Sequence, residues 1–433
     1  MNYQEARNYI DQAWQYAGNM ELSGMEYILE KLGNPEKELA FIHIAGTNGK
    51  GSTSAFISSV LEHATYRVGR YVSPTVYSYR ERIQINGNCI SREELADYVT
   101  RLQPYLEAMP EEGMAHLTPF EIETVIAFMY FRDKACDIVV LECGMGGRND
   151  ATNVIRNTKL AVLTPISLDH VGILGDDLLQ IAKNKAGIIK PGAVVVLGQQ
   201  SQEVEEAIWA ISTENGNPLI VSKPQEAVIR ETGIEGQTFR YHGSEVKIQL
   251  AGSYQIENAV LALDCVMALR PLGFKITEED ITEGLYETRW DGRFSLIARD
   301  PFFVVDGAHN PGAAEKLKQS IANCFAGRRL IFIMGMFQDK DYRQVVSMLA
   351  PMAERIFTVT PPDPSRAFPA EKLAEVVEEF NSAVAPCNSF SHAVECAYAA
   401  AGPEDVIISF GSLSFIGEIT KIVKERKEIE DKE

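Results

Sequence analysis

Short apolar runs alternate with helix-length segments along most of the 433 residues, and this rhythm limits the fold more than any other feature. The runs Phe41–Ala45, Val68–Val72, Asp137–Cys143, Leu160–Thr164, Ala193–Leu197 and Leu219–Ser222 read as strands, and 52–63, 120–133 and 178–189 read as helices between them. Runs such as IVVLE and AVVVL are apolar continuously rather than at alternate positions. Such strands are buried on both faces, as in a parallel sheet covered by helices. The expected fold is therefore α/β, doubly wound around a parallel sheet. The stretch QTFRYHGSEVKIQLA (237–251) alternates around Gly243 and predicts a β-hairpin, followed by a helix over 255–269. A second α/β rhythm runs through Phe302–Asp306, Leu330–Met334, Ile356–Val359 and Val406–Phe410, and PPDPSRAFP (361–369) reads as a surface loop. At about 100–200 residues per domain, two or three domains are expected. The change of rhythm places the boundary near 295–300, dividing the chain into 1–296 and 297–433. The tail KERKEIEDKE reads as a solvated helix end.

A net charge of −19 opposes binding to nucleic acid or an anionic membrane, so an anionic small molecule would need local donors. The seven Cys, at 89, 136, 143, 265, 324, 387 and 396, contain no CxxC pair. Their odd count and scatter predict neither a disulfide framework nor a zinc site, and suit a reducing, cytoplasmic setting. The opening MNYQEARNYIDQAW lacks the apolar core of a signal peptide, and no run reaches about 18 apolar residues, so no membrane span is expected.

The local donors are found in HIAGTNGKGSTSAF (43–56). An apolar strand ends, Gly46, Gly49 and Gly51 permit unusual backbone angles, and a helix begins. Backbone N–H groups at a helix start point towards an anion, and Lys50 adds a point charge. The usual GxxxxGK[ST] spacing is not kept: Ile44 stands where its first Gly would fall, and Ser52 comes one residue late. Glu142 ends the strand in VVLECGMGGRNDATN (139–153), at the edge where open α/β sheets carry ligand sites. It reads either as a salt-bridged carboxylate or as a ligand to Mg²⁺, which favours oxygen donors beside phosphates. Asp169-His170 repeat that position in TPISLDHVGILG, and their place beside Lys50 and Glu142 favours function. In IAKNKAGIIKPG, Lys183, Lys185 and Lys190 read, on their own, as a basic helix face, the alternative being a Lys185 that points inward towards the site. Later, Asp306 ends a strand in FFVVDGAHNPGA, with His309-Asn310 before a helix, and GSLSFIGE (411–418) is a Gly/Ser turn opening another. Each alone is ordinary capping; together the two sets of strand-end loops suggest a cleft between domains.

In order, HIAGTNGKGS, TPFE, GMGGRNDATN, SLDHVGILG, KAGIIKPG, DGRF, DGAHNP and GSLSFIGE resemble the motifs of the folylpolyglutamate synthase and dihydrofolate synthase family, the folate branch of the Mur ligases. The resemblance runs from about residue 3 to residue 425. It implies an N-terminal parallel-sheet ATPase domain of Mur ligase type and a smaller Rossmann-like C-terminal glutamate ligase domain. It implies an ATP- and Mg²⁺-dependent ligase that phosphorylates a folate or pteroate carboxylate and joins L-glutamate to the acyl phosphate. Carried over to this sequence, the nucleotide-binding residues are Gly46, Thr47, Asn48, Gly49, Lys50, Gly51, Ser52, Asn258, Arg293 and Asp306. The metal ligands are Ser73, Glu142, His170 and Lys185, the last as a carbamate. Lys50, Lys185, His170 and His309 are the implied catalytic residues. Phe120 and Glu121 fall near the pterin-bearing substrate, and His309 and Ser412 near the incoming glutamate. The implied partners are small molecules (folate or pteroate, L-glutamate and ATP), with no nucleic acid or membrane, for a monomer. A monovalent cation is left open. Thr75, Asn149, Asn184 and Tyr254 depart from the family's usual His, Leu, Glu and His. They leave the acceptor open between tetrahydrofolate and dihydropteroate. Two rivals are a Mur-type ligase for another carboxylate and a non-catalytic nucleotide-binding regulator; retention of Lys50, Glu142, His170 and Lys185 opposes the second.

Overall fold

Eight strands make the first sheet among the described residues: β1 (Phe41–Ala45), β2 (Val68–Tyr71), β3 (Ile83–Ile85), β4 (Asn88–Cys89), β5 (Ile138–Glu142), β6 (Thr158–Leu163), β7 (Val194–Leu197) and β8 (Leu219–Val221). The computed structural model describes residues 1–16, 21–170 and 172–430. Val171 of the SLDHVGILG motif and residues 431–433 of the charged tail lie outside them. The sheet order is β4-β3-β2-β5-β1-β6-β7-β8, parallel from β2 to β8, with β3 and β4 antiparallel at one edge. Every residue of β1 and β5 is buried, as continuous apolar strands require when helices cover both faces.

The covering helices include Lys50–His63, Pro119–Asp133 and Leu178–Lys185. Thr118 and Glu121 close the start of the second with a reciprocal capping box, and Pro119 supplies a first-turn residue that needs no N–H partner. The third ends earlier than expected: after Lys185 the chain tightens into a 3₁₀ turn, Ala186–Ile188. Three further helices of this unit are Tyr3–Gln12, Ser23–Lys31 and Arg92–Ala108. The first and last are closed by capping boxes, Asn2 with Glu5 and Ser91 with Glu94.

The expected hairpin is β10 (Gly236–Tyr241) and β11 (Ser244–Ile248), and it carries a further antiparallel strand, β9 (Val228–Gly233). The last sheet contains β12 (Ser295–Arg299), β13 (Phe302–Val305), β14 (Leu330–Met334), β15 (Arg355–Thr358), β16 (Val384–Pro386) and β17 (Val406–Phe410). Its order is β12-β13-β17-β14-β15-β16, parallel except for β12. The chain forms two compact units: 1–73, 79–226 and 257–287 in one; 74–78, 227–256 and 288–433 in the other. A cut at 296/297 would fall inside β12, whose antiparallel pairing with β13 ties it to the last sheet. Among the described residues no helix is long and apolar enough to cross a membrane.

Candidate active site

In the first sheet β2, β5, β1 and β6 stand side by side, and their registers bring their carboxyl ends level: Tyr71 opposite Leu141, Ile44 opposite Glu142, Ala45 opposite Leu163. The chain therefore delivers Ser73, Glu142, the 46–52 loop and Asp169-His170 to one edge. Neighbouring loops at such an edge form the crevice where α/β sheets bind ligands.

The 46–52 loop is held tightly. Gly46 has φ +150°, and a Cβ on it would stand 1.9 Å from Thr164 Oγ1. Gly49 has φ +91°, and a Cβ there would stand 2.4 Å from Asn258 Oδ1. Only glycine fits either position, and the second places Asn258 directly against the loop. The N–H groups of Thr47 and Asn48 donate to Pro165 O (3.0 and 3.3 Å). Thr47 Oγ1 donates to Ser167 O at 3.1 Å. The helix that follows starts from Gly49, so no side chain caps it, whereas Ser91, Thr118 and Asp177 cap theirs. An uncapped helix start beneath a glycine loop offers N–H groups to an anion. The small residues Ser52, Thr53 and Ser54 of its first turn are buried.

Two lysines converge on the loop. Lys50 Nζ donates to the carbonyls of Gly46 and Thr47, both at 3.2 Å. Lys185, the last residue of its helix, is buried and donates to Gly46 O at 2.8 Å. The basic-face reading of Lys185 does not hold, because its Nζ points inward. Burial first, and the charge of Lys50 second, push its amine down to about 7.

Glu142 is buried at the end of β5, and the charge of half-buried Arg70 on β2 interacts with it. His170 lies in a left-handed backbone conformation (φ +52°), its N–H donating to Asp169 Oδ1 at 3.0 Å. Ser73 follows β2 by two residues and is half-buried. Phe120 lies over Gly144, where a Cβ would meet its ring at 2.5 Å, and its ring centroid is 5.8 Å from that of Tyr71. The carboxylate of Glu121 is engaged by its own cap, accepting from Thr118 N and Oγ1 at 2.7 and 2.8 Å.

Behind Glu142 lies a buried polar network that the sequence reading missed. His43 Nε2 is 2.8 Å from Thr152 Oγ1 and 3.1 Å from Cys143 Sγ. Thr152 Oγ1 donates to Asp150, which also accepts from the N–H groups of Met145 (2.8 Å) and Thr152 (3.0 Å). Asp150 thus clamps the GMGGRND loop that follows Glu142. Its carboxyl is nevertheless raised, because burial outweighs these bonds. The Asp-Ala-Thr cap was the available signal; the contact with His43, 109 positions from Thr152, had none.

In the second unit, Arg293, Asp306, His309 and Ser412 gather on neighbouring elements. Asp306 follows β13 and Ser412 follows β17, and those strands are paired. The buried Asp306 carboxylate accepts from Tyr254 OH (2.8 Å), Phe294 N (2.8 Å) and Ala308 N (2.7 Å). Burial raises its carboxyl, opposed chiefly by the charge of Arg293. The Arg293 guanidinium lies over Gly307, where a Cβ would meet Nη1 at 2.7 Å. His309 Nδ1 donates to Gly307 O (2.9 Å), and Asn310 caps the helix Pro311–Cys324. Ser412 Oγ is 2.8 Å from Ser414 Oγ.

Residues 44–266 match the Mur ligase middle domain and residues 292–413 the Mur ligase glutamate ligase domain. The dihydrofolate synthase/folylpolyglutamate synthase of Bacillus subtilis is 33% identical over 434 residues, covering 98% of this chain and 99% of that one. The chain belongs to the folylpolyglutamate synthase/dihydrofolate synthase family of the Mur ligases. The family's fold is present throughout: a Mycobacterium tuberculosis folylpolyglutamate synthase complexed with ADP matches with TM-score 0.89 at 30% identity, covering 97% of this chain and 98% of that one. Escherichia coli FolC in complex with DHPP and ADP matches with TM-score 0.85 at 28% identity, covering 99% of both.

Two departures from the family pattern acquire physical meaning here. Tyr254 supplies the hydroxyl donor to Asp306. Asn184 packs against Gly146, where a Cβ would meet its Oδ1 at 2.7 Å. Asn149 is exposed, and nothing in the structure explains Thr75.

Proposed function

We propose that this chain uses ATP to join L-glutamate to the carboxylate of a folate-type acceptor, lengthening tetrahydrofolates or converting dihydropteroate to dihydrofolate. The observation that carries the reading is the convergence of Lys50, Lys185 and Asn258 on an uncapped glycine loop, with Glu142 ending the adjacent strand. The names of the relatives and the ADP in two matched structures support it.

The N–H groups at the uncapped helix start and Lys50 hold the triphosphate, Lys50 exchanging the carbonyls of Gly46 and Thr47 for phosphate oxygens. Ser73, Glu142 and His170 offer a hydroxyl, a carboxylate and an imidazole, a set that fits Mg²⁺. Lys185 as an ammonium does not fit beside a cation. Its amine, pushed down to about 7, supplies the neutral form whose nitrogen adds to CO₂ and releases a proton to solvent, and the resulting carbamate would complete an oxygen-rich set. Mg²⁺ bound there supplies charge neutralisation as the carboxylate approaches the triphosphate.

An acceptor carboxylate oxygen attacks the γ-phosphorus and ADP leaves. The amine of glutamate then attacks the acyl carbon, loses a proton, and expels phosphate together with that carboxylate oxygen. Asn258 and Arg293 bind nucleotide. Asp306, with three donors already engaged, acts by fixing Arg293 and the 306–310 loop. His309 and Ser412 face the glutamate and the transferred phosphate.

The experiment follows that oxygen. With a heavy-oxygen-labelled acceptor carboxylate, MgATP and L-glutamate, the released phosphate is expected to carry one labelled atom per amide formed. Amide formation with unlabelled phosphate contradicts the acyl phosphate route.

A further inference from the structure

Three side chains with soft donor atoms meet at the far edge of the second unit's sheet. Cys387 follows β16, the edge strand, and its N–H donates to Thr358 O at 2.9 Å, which fixes it to β15. Ser389 caps the next helix, Phe390–Ala400, accepting from the N–H of His392 at 3.1 Å. His392 and Cys396 are four residues apart on that helix and so share a face. The donor atoms of Cys387, His392 and Cys396 all lie within 4.8 Å of one another. Both cysteines are free thiols. Cys387 is buried, Cys396 half-buried and His392 exposed, which leaves a solvent path to the group.

In a tetrahedral zinc site, with Zn–S about 2.3 Å and Zn–N about 2.0–2.1 Å, the donors stand about 3.5–3.8 Å apart. Closing this set requires movements of about 1 Å, within reach of side-chain rotation. The pattern C-x₄-H-x₃-C contains no paired CxxC, so it carries no zinc signal in the sequence alone. The group is separate from the ligase residues: Ser412 follows β17, three strands away, on the order of 14 Å at about 4.8 Å per strand.

We propose that Cys387, His392 and Cys396 form a site for a soft divalent cation of the zinc class, with water or an outside ligand in the fourth position. Two thiolates and an imidazole select such a cation over Mg²⁺. On binding, the two thiols each release a proton to solvent, two sulfur–metal bonds and one nitrogen–metal bond form, and no electron is transferred. The bound ion would staple the edge strand to the helix that follows it.

The test uses the full chain, reduced and kept under nitrogen, with excess Mg²⁺ and ADP, titrated with Co²⁺ as a spectroscopic stand-in for zinc. The sulfur-to-cobalt charge-transfer band reports thiolate ligation alone, so the result does not depend on the ligase reading. The expected band saturates at one Co²⁺ per chain and is erased by one equivalent of Zn²⁺. It disappears in Cys396→Ser. In His392→Gln, an exposed position that leaves folding unaffected, affinity falls at least about tenfold. A reduced protein without the band overturns the proposal, as does a band unchanged in either variant.

Discussion

His43 sits in β1 with no solvent exposure, and burial first and the charge of Lys190 second push its imidazole down to about 3. Its Nδ1 has no hydrogen-bond partner among the described residues, so a second proton on the ring would find no acceptor. The unfolded chain binds that proton below the ordinary value near 6.5 and the folded chain does not. Stability is therefore complete above about pH 6.5 and is lost as pH falls from there towards 3. Urea unfolding at about pH 7 and pH 5 should show a loss of up to roughly 2 kcal/mol from this residue. His43→Gln should flatten that slope, and an unchanged slope would contradict the assignment. Lys185 invites a different test. Lys185→Ala should abolish ligase turnover, with partial recovery when a small carboxylic acid takes the place of the carbamate; full activity without added acid would remove the carbamate role. The two residues also differ in legibility. Lys185 read as a surface cation until the family resemblance turned it inward, because its address depends on where the helix ends. Nothing near His43 in sequence announced Thr152 or Cys143, because the parallel sheet alone makes them neighbours.

At the scale of elements, the 46–52 loop is the most constrained segment. Gly46→Ala drives a Cβ into Thr164 and should shift the carbonyl that both lysines use. The expected cost is about 1–3 kcal/mol of stability from overpacking. Calorimetric titration with ADP should show at least about tenfold weaker binding, a difference of about 1.4 kcal/mol. Unaltered affinity would mean that the loop does not hold the phosphates. This loop, the strand before it and the helix after it were readable because a continuous apolar run ending in glycines has few other solutions. The pieces that escaped share a cause. β9 is exposed along nearly its whole length, so it shows no apolar alternation, and β16 ends in a proline at a sheet edge. β3 and β4 hold three and two residues, too short for any period to register. The capping boxes at Asn2 and Ser91 were signals in plain view for two helices that the apolar rhythm did not mark.

Across the whole molecule, each of the two large sheets presents polar loops at the carboxyl ends of its parallel strands. The first unit gathers the donors suited to a triphosphate, and the second gathers Arg293, His309 and Ser412. An acidic chain of net charge −19 needs local donors for anionic substrates, and Lys50, Lys185 and the loop N–H groups are such donors. The most direct test is mass spectrometry of the products formed by the purified chain with MgATP, L-glutamate and either dihydropteroate, tetrahydrofolate or no acceptor. The expected result is a mass gain of one glutamyl residue, or a series of them, on at least one of the two folate-type acceptors, and none without ATP. A folded chain that binds ADP yet leaves both acceptors unchanged would contradict it.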